Sequence, residues 1–237
     1  MAFAAVPAAL VLAFLRKWSA DAGHGAIALV RMLVQLTLVG YVLVYIFRAR
    51  TPWPVLAVLL VMVVAASWIA LRTVSEFRLE LYGRALLSIA LGGGTTVALV
   101  TQGVLTLDPW YEPTFVVPLA GMIFAASMNS VSLAAERFVA ELRRGQTPED
   151  ARRVAIQAGL IPIVNALLAV GLVSLPGVMT GQILSGIDPQ TAVRYQVMVM
   201  LMVFGASGLS AALFLVFGQG RLLHRLDGRT RAGPASP

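Results

Sequence analysis

The sequence predicts an all-α fold: a polytopic membrane helical bundle of about seven transmembrane helices, with its N-terminus outside and its C-terminus in the cytoplasm. Three observations carry this expectation. Of the 237 residues, 59% are hydrophobic and only 12% are charged, with a mean hydropathy of +0.84, whereas a soluble domain carries about 25% charged residues. The charges are bunched into short clusters, and the stretches between them are long and apolar. Arginine and lysine are also unevenly shared between alternate clusters, as they are in multi-pass membrane proteins.

Seven uncharged runs mark the candidate spans, each judged against the roughly 20 residues a helix needs to cross a ~30 Å hydrocarbon core. Met1 to Leu15 is short, and Arg16 and Lys17 follow it rather than precede it. That charge order is the reverse of a secretory signal, so the run reads as an uncleaved first span over about 1–16. Met32 to Phe47 extends back across Gly25 to Val30 to give a second span, 25–47, with Arg31 snorkelling toward the interface. Thr51 to Leu71 and Ala85 to Leu107 supply spans at 52–71 and 85–107.

The fifth run, Pro113 to Ala135, meets no helix breaker from about Leu119 through Glu136, Arg137, Phe138 and Glu141 to Arg144. Its helix is therefore expected over 115–144, longer than the membrane is thick and projecting into the cytoplasm. The sixth, 148–187, is too long for one straight span: Val154 to Ile187 would reach about 50 Å as a helix. The seventh covers 194–219, and 221–237 is expected as a basic, disordered cytoplasmic tail, the whole of 1–220 forming one transmembrane domain.

Orientation follows from the basic residues. The clusters after spans one, three, five and seven hold Arg16 and Lys17; Arg72, Arg78 and Arg84; Arg137, Arg143, Arg144, Arg152 and Arg153; and Arg221, Arg225, Arg229 and Arg231. Opposite them stand only Arg48, Arg50 and Arg194. Short basic loops stay on the cytoplasmic side, which places the C-terminus there. The net charge of +7 is thereby explained by topology, and no nucleic-acid partner is expected.

Composition also excludes several chemistries. With no cysteine, the chain has no disulfide, thiolate metal site or cysteine nucleophile. His24 and His224 are the two histidines and lie far apart, which rules out a His-Glu-x-x-His protease. No phosphate-binding loop occurs; Gly92, Gly93 and Gly94 precede no lysine and are expected to serve close helix packing. The chain is therefore not an ATPase, is expected to bind no cofactor of its own, and shows no catalytic pair.

Two segments stand out. Gly145 should stop the fifth helix, and Thr147-Pro148-Glu149-Asp150 is a helix start, with a hydroxyl cap, proline in the first turn and acids at the positive end of the dipole. A charged helical hairpin is expected there. Further on, Ser174-Leu175-Pro176-Gly177 should break the overlong sixth run, because proline removes a backbone donor and clashes with the preceding turn. Broken membrane helices occur where protein or a water-filled cavity satisfies the freed backbone groups. Candidate path-lining residues are Ser174, Pro176, Gly177, Met179 and Gln182, with Asn165 earlier on the same run and Met128 and Asn129 in span five. The alternative is a packed kink in which Gly177 and Gly181 form a small-xxx-small contact.

The stretches Gly121-Met122-Ile123, Ser127-Met128-Asn129-Ser130-Val131-Ser132-Leu133 and Glu136-Arg137-Phe138 resemble the permease subunits of FetB-like (YbbM-type) ABC transporters, an iron-export family with plant aluminium-tolerance relatives. Ala169 to Leu184, Asp188-Pro189 and Ala192-Val193-Arg194-Tyr195-Gln196 match that family's signature more closely still. Arg31, Val34-Gln35-Leu36 and Val39-Gly40 resemble its second span, so the likeness covers most of the chain. The segment between Phe138 and Ile161-Pro162 is shorter here than in the family.

The resemblance implies a multi-pass subunit of the bacterial inner membrane that exports a metal ion such as iron. It implies a separate ATP-binding partner that uses the ATP, and two copies of each subunit. The hairpin residues Arg143, Arg144, Gly145, Thr147, Pro148, Glu149, Asp150, Arg152 and Arg153 would then couple to that partner. No carboxylate, histidine or thiolate lies at mid-membrane depth, so the sequence assigns no metal ligands, and a metal, a metal chelate or a larger polar solute all fit. A channel or secondary transporter for a small polar solute or ion, using the same broken helix without an ATPase, is the alternative.

Overall fold

A computed structural model describes residues 5–18, 22–48 and 50–231. Met1 to Ala4 of the expected first span and residues 232–237 of the expected tail lie outside these, as do the side chains of His24 and of residues 224–231. The chain divides into two compact units, Met1–Arg50 and Thr51–Pro237.

In the first unit, α1 (Ala5–Lys17) and α2 (Ala22–Ile46) form a helical hairpin. The two helices touch where α2 lacks a side chain, since a Cβ on Gly25 would stand 3.0 Å from Leu12 Cδ2. α1 has 13 residues, which at the helical rise is about 20 Å and short of the hydrocarbon core. It does not qualify as a span by length, whereas Gly25–Ile46 does. Arg31 is exposed on α2, on a shallow groove with Ile27, Val30, Val34 and Gln35.

The second unit holds α3 (Pro52–Ala70), α4 (Arg78–Ala98), α5 (Pro113–Arg143), α6 (Pro148–Ala169), α7 (Gly177–Leu184) and α8 (Pro189–Arg231). A 3-10 segment, Leu71–Phe77, joins α3 to α4, and a π-helical turn, Leu99–Val104, ends α4. Pro52–Val104 is thus one 53-residue helical stretch that contains two expected spans, turned at Val74 (φ −120°, ψ 49°). With Pro113–Arg143, Pro148–Ala169, Pro189–Leu223 and α2's Gly25–Ile46, five stretches among the described residues are long and apolar enough to cross a membrane. α8 continues unbroken to Arg231, so residues 221–231, expected as tail, extend the last helix.

α5 is the centre of this unit and packs against α3, α4, α6 and α8. The reason is small side chains at the crossings, which let backbones approach in the absence of a strong hydrophobic drive between helices in lipid. Ala120, Ala134 and Ala135 on α5, Ala85 on α4, Ala155 on α6 and Ala206 and Ala211 on α8 are fully buried. Gly92 of α4 faces the Ser210 backbone, where a Cβ would come within 2.7 Å of its nitrogen. Gly93 faces Phe124, and Gly159 of α6 faces the Ser130 carbonyl, 2.8 Å from where its Cβ would be. The first two glycines of the triplet therefore serve close packing as expected; Gly94 meets open space.

Two buried serines pair across the α5–α8 seam. Ser210 Oγ donates to Ser127 Oγ at 3.0 Å, and Ser127 Oγ donates to the Ala206 carbonyl at 3.3 Å. At the α3–α4 turn the Arg78 guanidinium lies 4.5 Å from the Trp68 ring centre, and Trp68 meets Tyr82 edge to face at 5.7 Å.

Candidate functional site: a charged hairpin and a broken helix

α5 ends in a helix-stop of the Schellman type. The Gly145 N–H bonds to the Leu142 carbonyl at 3.0 Å and the Gln146 N–H to the Glu141 carbonyl at 3.2 Å. Gly145 has φ +82°, a conformation that costs an L-residue about 1–2 kcal/mol, so glycine is the residue that fits. The chain then restarts at Thr147, whose Oγ1 accepts the Asp150 N–H at 3.2 Å, with Pro148 in the first turn and Glu149 and Asp150 exposed beside it. The expected hairpin is present with its expected caps.

The hairpin is tied to its surroundings through charge. Arg143 pairs with Glu76 of the 3-10 segment. Glu141 is buried and receives Arg137 at 2.8 Å and Arg144 at 3.0 Å. Arg152 Nη1 donates to Gln219 Oε1 of α8 at 3.2 Å, while Arg153 is exposed. Glu141, Glu76 and Gln219 are the partners that sequence reasoning missed. The i,i+4 spacing of Arg137 and Glu141 and the i,i+3 spacing of Glu141 and Arg144 were visible in the sequence; Arg143 and Glu76, and Arg152 and Gln219, are separated by more than sixty positions.

α6 runs from this hairpin to the break. Its 22 residues cover about 33 Å, close to the thickness of a hydrocarbon core. α6 stops at Ala169, not at Ser174, and the interruption runs from Val170 to Pro176. Gly171 has φ +80°, its N–H bonds to the Ser174 carbonyl at 3.0 Å, and the Ala169 carbonyl accepts the Leu172, Val173 and Ser174 N–H groups. The N–H groups of Val170 to Ser174 are thus bonded within α6 and the loop, with Leu172, Val173 and Leu175 strongly exposed. α7 follows, packs on α8, and hands over to it through Asp188, whose Oδ2 accepts the Thr191 N–H at 3.1 Å.

Between this loop and α8 lies a groove of about 330 Å³. Pro176 and Met179 line it, together with Leu167, Leu175, Gln196 and Met200. Ser174 and Gly177 are exposed beside it, and Gln182 is half-buried on α7 with Oε1 unpaired. Asn165 is exposed on α6, Asn129 is exposed on α5, and Met128 packs against the core; these three do not line the groove. Gly177 and Gly181 meet no atom within 4 Å, so the packed small-xxx-small alternative is not formed within the chain. Gln196 is the groove residue missed as a site: it is 5% exposed and its Oε1 has no hydrogen-bond partner. Among the described residues no cluster of histidine, aspartate or glutamate could hold a metal ion.

A helical bundle with long apolar stretches, small-residue crossings and a span broken beside a groove defines an integral membrane protein of the helical class. The chain belongs to the UPF0014 family, described as an uncharacterised protein family, whose model matches residues 1–223. It is 40% identical over 197 residues to a UPF0014 membrane protein of Synechocystis, covering 76% of this chain and 75% of that one. It is 35% identical over 198 residues to the probable iron export permease protein FetB of Escherichia coli, covering 77% and 75%. It is 26% identical over 219 residues to the protein ALUMINUM SENSITIVE 3 of Arabidopsis thaliana, covering 86% and 78%. No solved structure matches the chain.

Proposed function

We propose that this chain is the transmembrane subunit of an ABC-type exporter of the bacterial inner membrane, driven by a separate ATP-binding subunit, with two copies of each in the complex. One observation carries the reading: α6 joins the charged hairpin at one end to the break and its groove at the other, about one membrane thickness away. A push on the hairpin is thereby delivered to the groove through a single helix. The N-terminus is outside and the hairpin and C-terminus are cytoplasmic, where a nucleotide-hydrolysing partner has its ATP. The cargo class is a metal such as iron, in keeping with the printed name of the E. coli relative.

Docking is assigned to the exposed Glu149, Asp150 and Arg153 with the partly buried Arg152. Replacing all four with alanine is expected to weaken docking on a candidate ATP-binding subunit, read by co-purification, while membrane insertion is kept. Unchanged co-purification returns the hairpin to a solvated interhelical loop, whereas absence of ATP turnover with any candidate ATP-binding subunit sinks the ABC reading and leaves a channel or secondary carrier.

A further inference from the structure

We infer that the uncovered face of α5, with the 3-10 segment beside it, is a docking surface for a second copy of this chain. α5 leaves one stripe open: Ala125, Asn129 and Glu136 are exposed and Ser132 is half-buried. Their spacing along the chain, alternately about four and three residues, puts these side chains on one face of the helix. Phe115 is the one large hydrophobic side chain that α5 exposes, whereas α3 exposes Trp53, Leu60 and Val61 and α8 exposes Val197, Leu201 and Leu209. The open faces of α3 and α8 thus suit lipid tails, and that of α5 does not. Asn129 makes the mismatch costly. It lies one residue from the middle of α5, whose 31 residues span about 46 Å, so it falls inside a ~30 Å hydrocarbon core however the helix is set across it. Its carboxamide makes no hydrogen bond to another described residue. Amides at that depth face protein or water and bond across helices.

The chemistry of this face selects the partner. A carboxamide is donor and acceptor together, so across a two-fold axis Asn129 is satisfied by Asn129 of the partner subunit. Thr73 Oγ1 of the 3-10 segment donates to the Ser132 carbonyl at 3.2 Å, which sets the neighbouring Arg72 beside the stripe. Arg72 and Glu136 are both exposed, and neither is ion-paired with a described residue. The face therefore carries one positive and one negative group, and two copies related by a two-fold axis match Arg72 to the partner's Glu136 twice. A different protein would need this pattern by coincidence; a second copy supplies it by symmetry. The inference deepens the permease reading, on which it rests for the presence of two copies, and it needs no ATP-binding subunit.

The test exploits the absence of native cysteine. A disulfide needs Cα atoms within about 7 Å, so Ala125→Cys in the full-length chain should give a covalent dimer when isolated membranes are oxidised, while Leu201→Cys and Val61→Cys should not. If Ala125→Cys does not fold, Asn129→Cys reports the same contact. Pairing affinity is then read in lipid vesicles by energy transfer between fluorescently tagged copies as added lipid dilutes them. Asn129→Ala should weaken pairing about fivefold. Arg72→Glu and Glu136→Arg should each weaken it about tenfold, and the two together should restore it to within about twofold. No covalent dimer, or one formed equally at Leu201→Cys, overturns the inference, and so does a double reversal that pairs no better than either single. A cross-linked dimer in a chain that supports ATP turnover with no ATP-binding subunit upholds the surface and sinks the ABC reading; ATP turnover by a chain without the α5 cross-link does the opposite.

Discussion

Ser210 Oγ stands 3.0 Å from Ser127 Oγ in the fully buried seam between α8 and α5, and Ser127 passes the bond on to the Ala206 carbonyl. In a bundle whose helices are surrounded by lipid, this two-link chain gives the seam a register that alkyl packing alone lacks.

Removing both members should therefore cost less than the sum of removing each alone. Ser127→Ala leaves the Ser210 hydroxyl buried with its acceptor gone, at a cost of about 1–3 kcal/mol. The double Ser127→Ala, Ser210→Ala variant should be less destabilised than the sum of the singles, with a coupling of about 0.5–2 kcal/mol. Unfolding in mixed micelles measures the cycle, and additive singles would show that the hydroxyls act independently.

The glycine triplet supplies a second comparison within one helical turn. Gly92→Ala puts a methyl within 2.9 Å of Ser210 Cα, which must push α4 from α8 and should cost about 1–3 kcal/mol. Gly94→Ala enters open space and should be neutral or gain up to about 1 kcal/mol from helix propensity. Thermal stability in detergent orders the two, and equal effects would remove the α4–α8 contact from the account.

Topology can be read with cysteines because the chain has none of its own. Gln146→Cys on the hairpin and Ser185→Cys at the α7–α8 turn are both exposed positions. An impermeant maleimide should label the first only in inside-out vesicles and the second only in right-side-out ones. Labelling of both from one side would mean that α6 does not cross the membrane and would remove the lever between hairpin and groove.

By itself the sequence determined the class and the punctuation. Apolar runs between charge clusters predict helices in lipid, and the caps at Gly145 and Thr147 are local signals, since a left-handed turn and a side-chain cap involve only residues a few positions apart. The break near Pro176 was legible for the same reason, yet its start was not. Ala169 is where α6 ends because its carbonyl takes three loop N–H groups, a choice made by the folded loop and not by the proline. The length of α8 was misread because the charges from Arg221 onward suggest solvent, while the helix runs on to Arg231 and Leu222 is buried.

Only tertiary structure decided which of the candidate residues share a site. Met128, Asn129, Met179 and Gln182 looked alike as polar or soft groups in apolar helices, but a helix face is chosen by its neighbours. Pro176 and Met179 came to the groove while Met128 went to the core. Gln196 joined them from α8, and Glu76 and Gln219 met Arg143 and Arg152, across sequence separations that no local pattern encodes. Side-chain chemistry along one dimension sets what each helix is; the packing of small residues against α5 sets which chemistries meet.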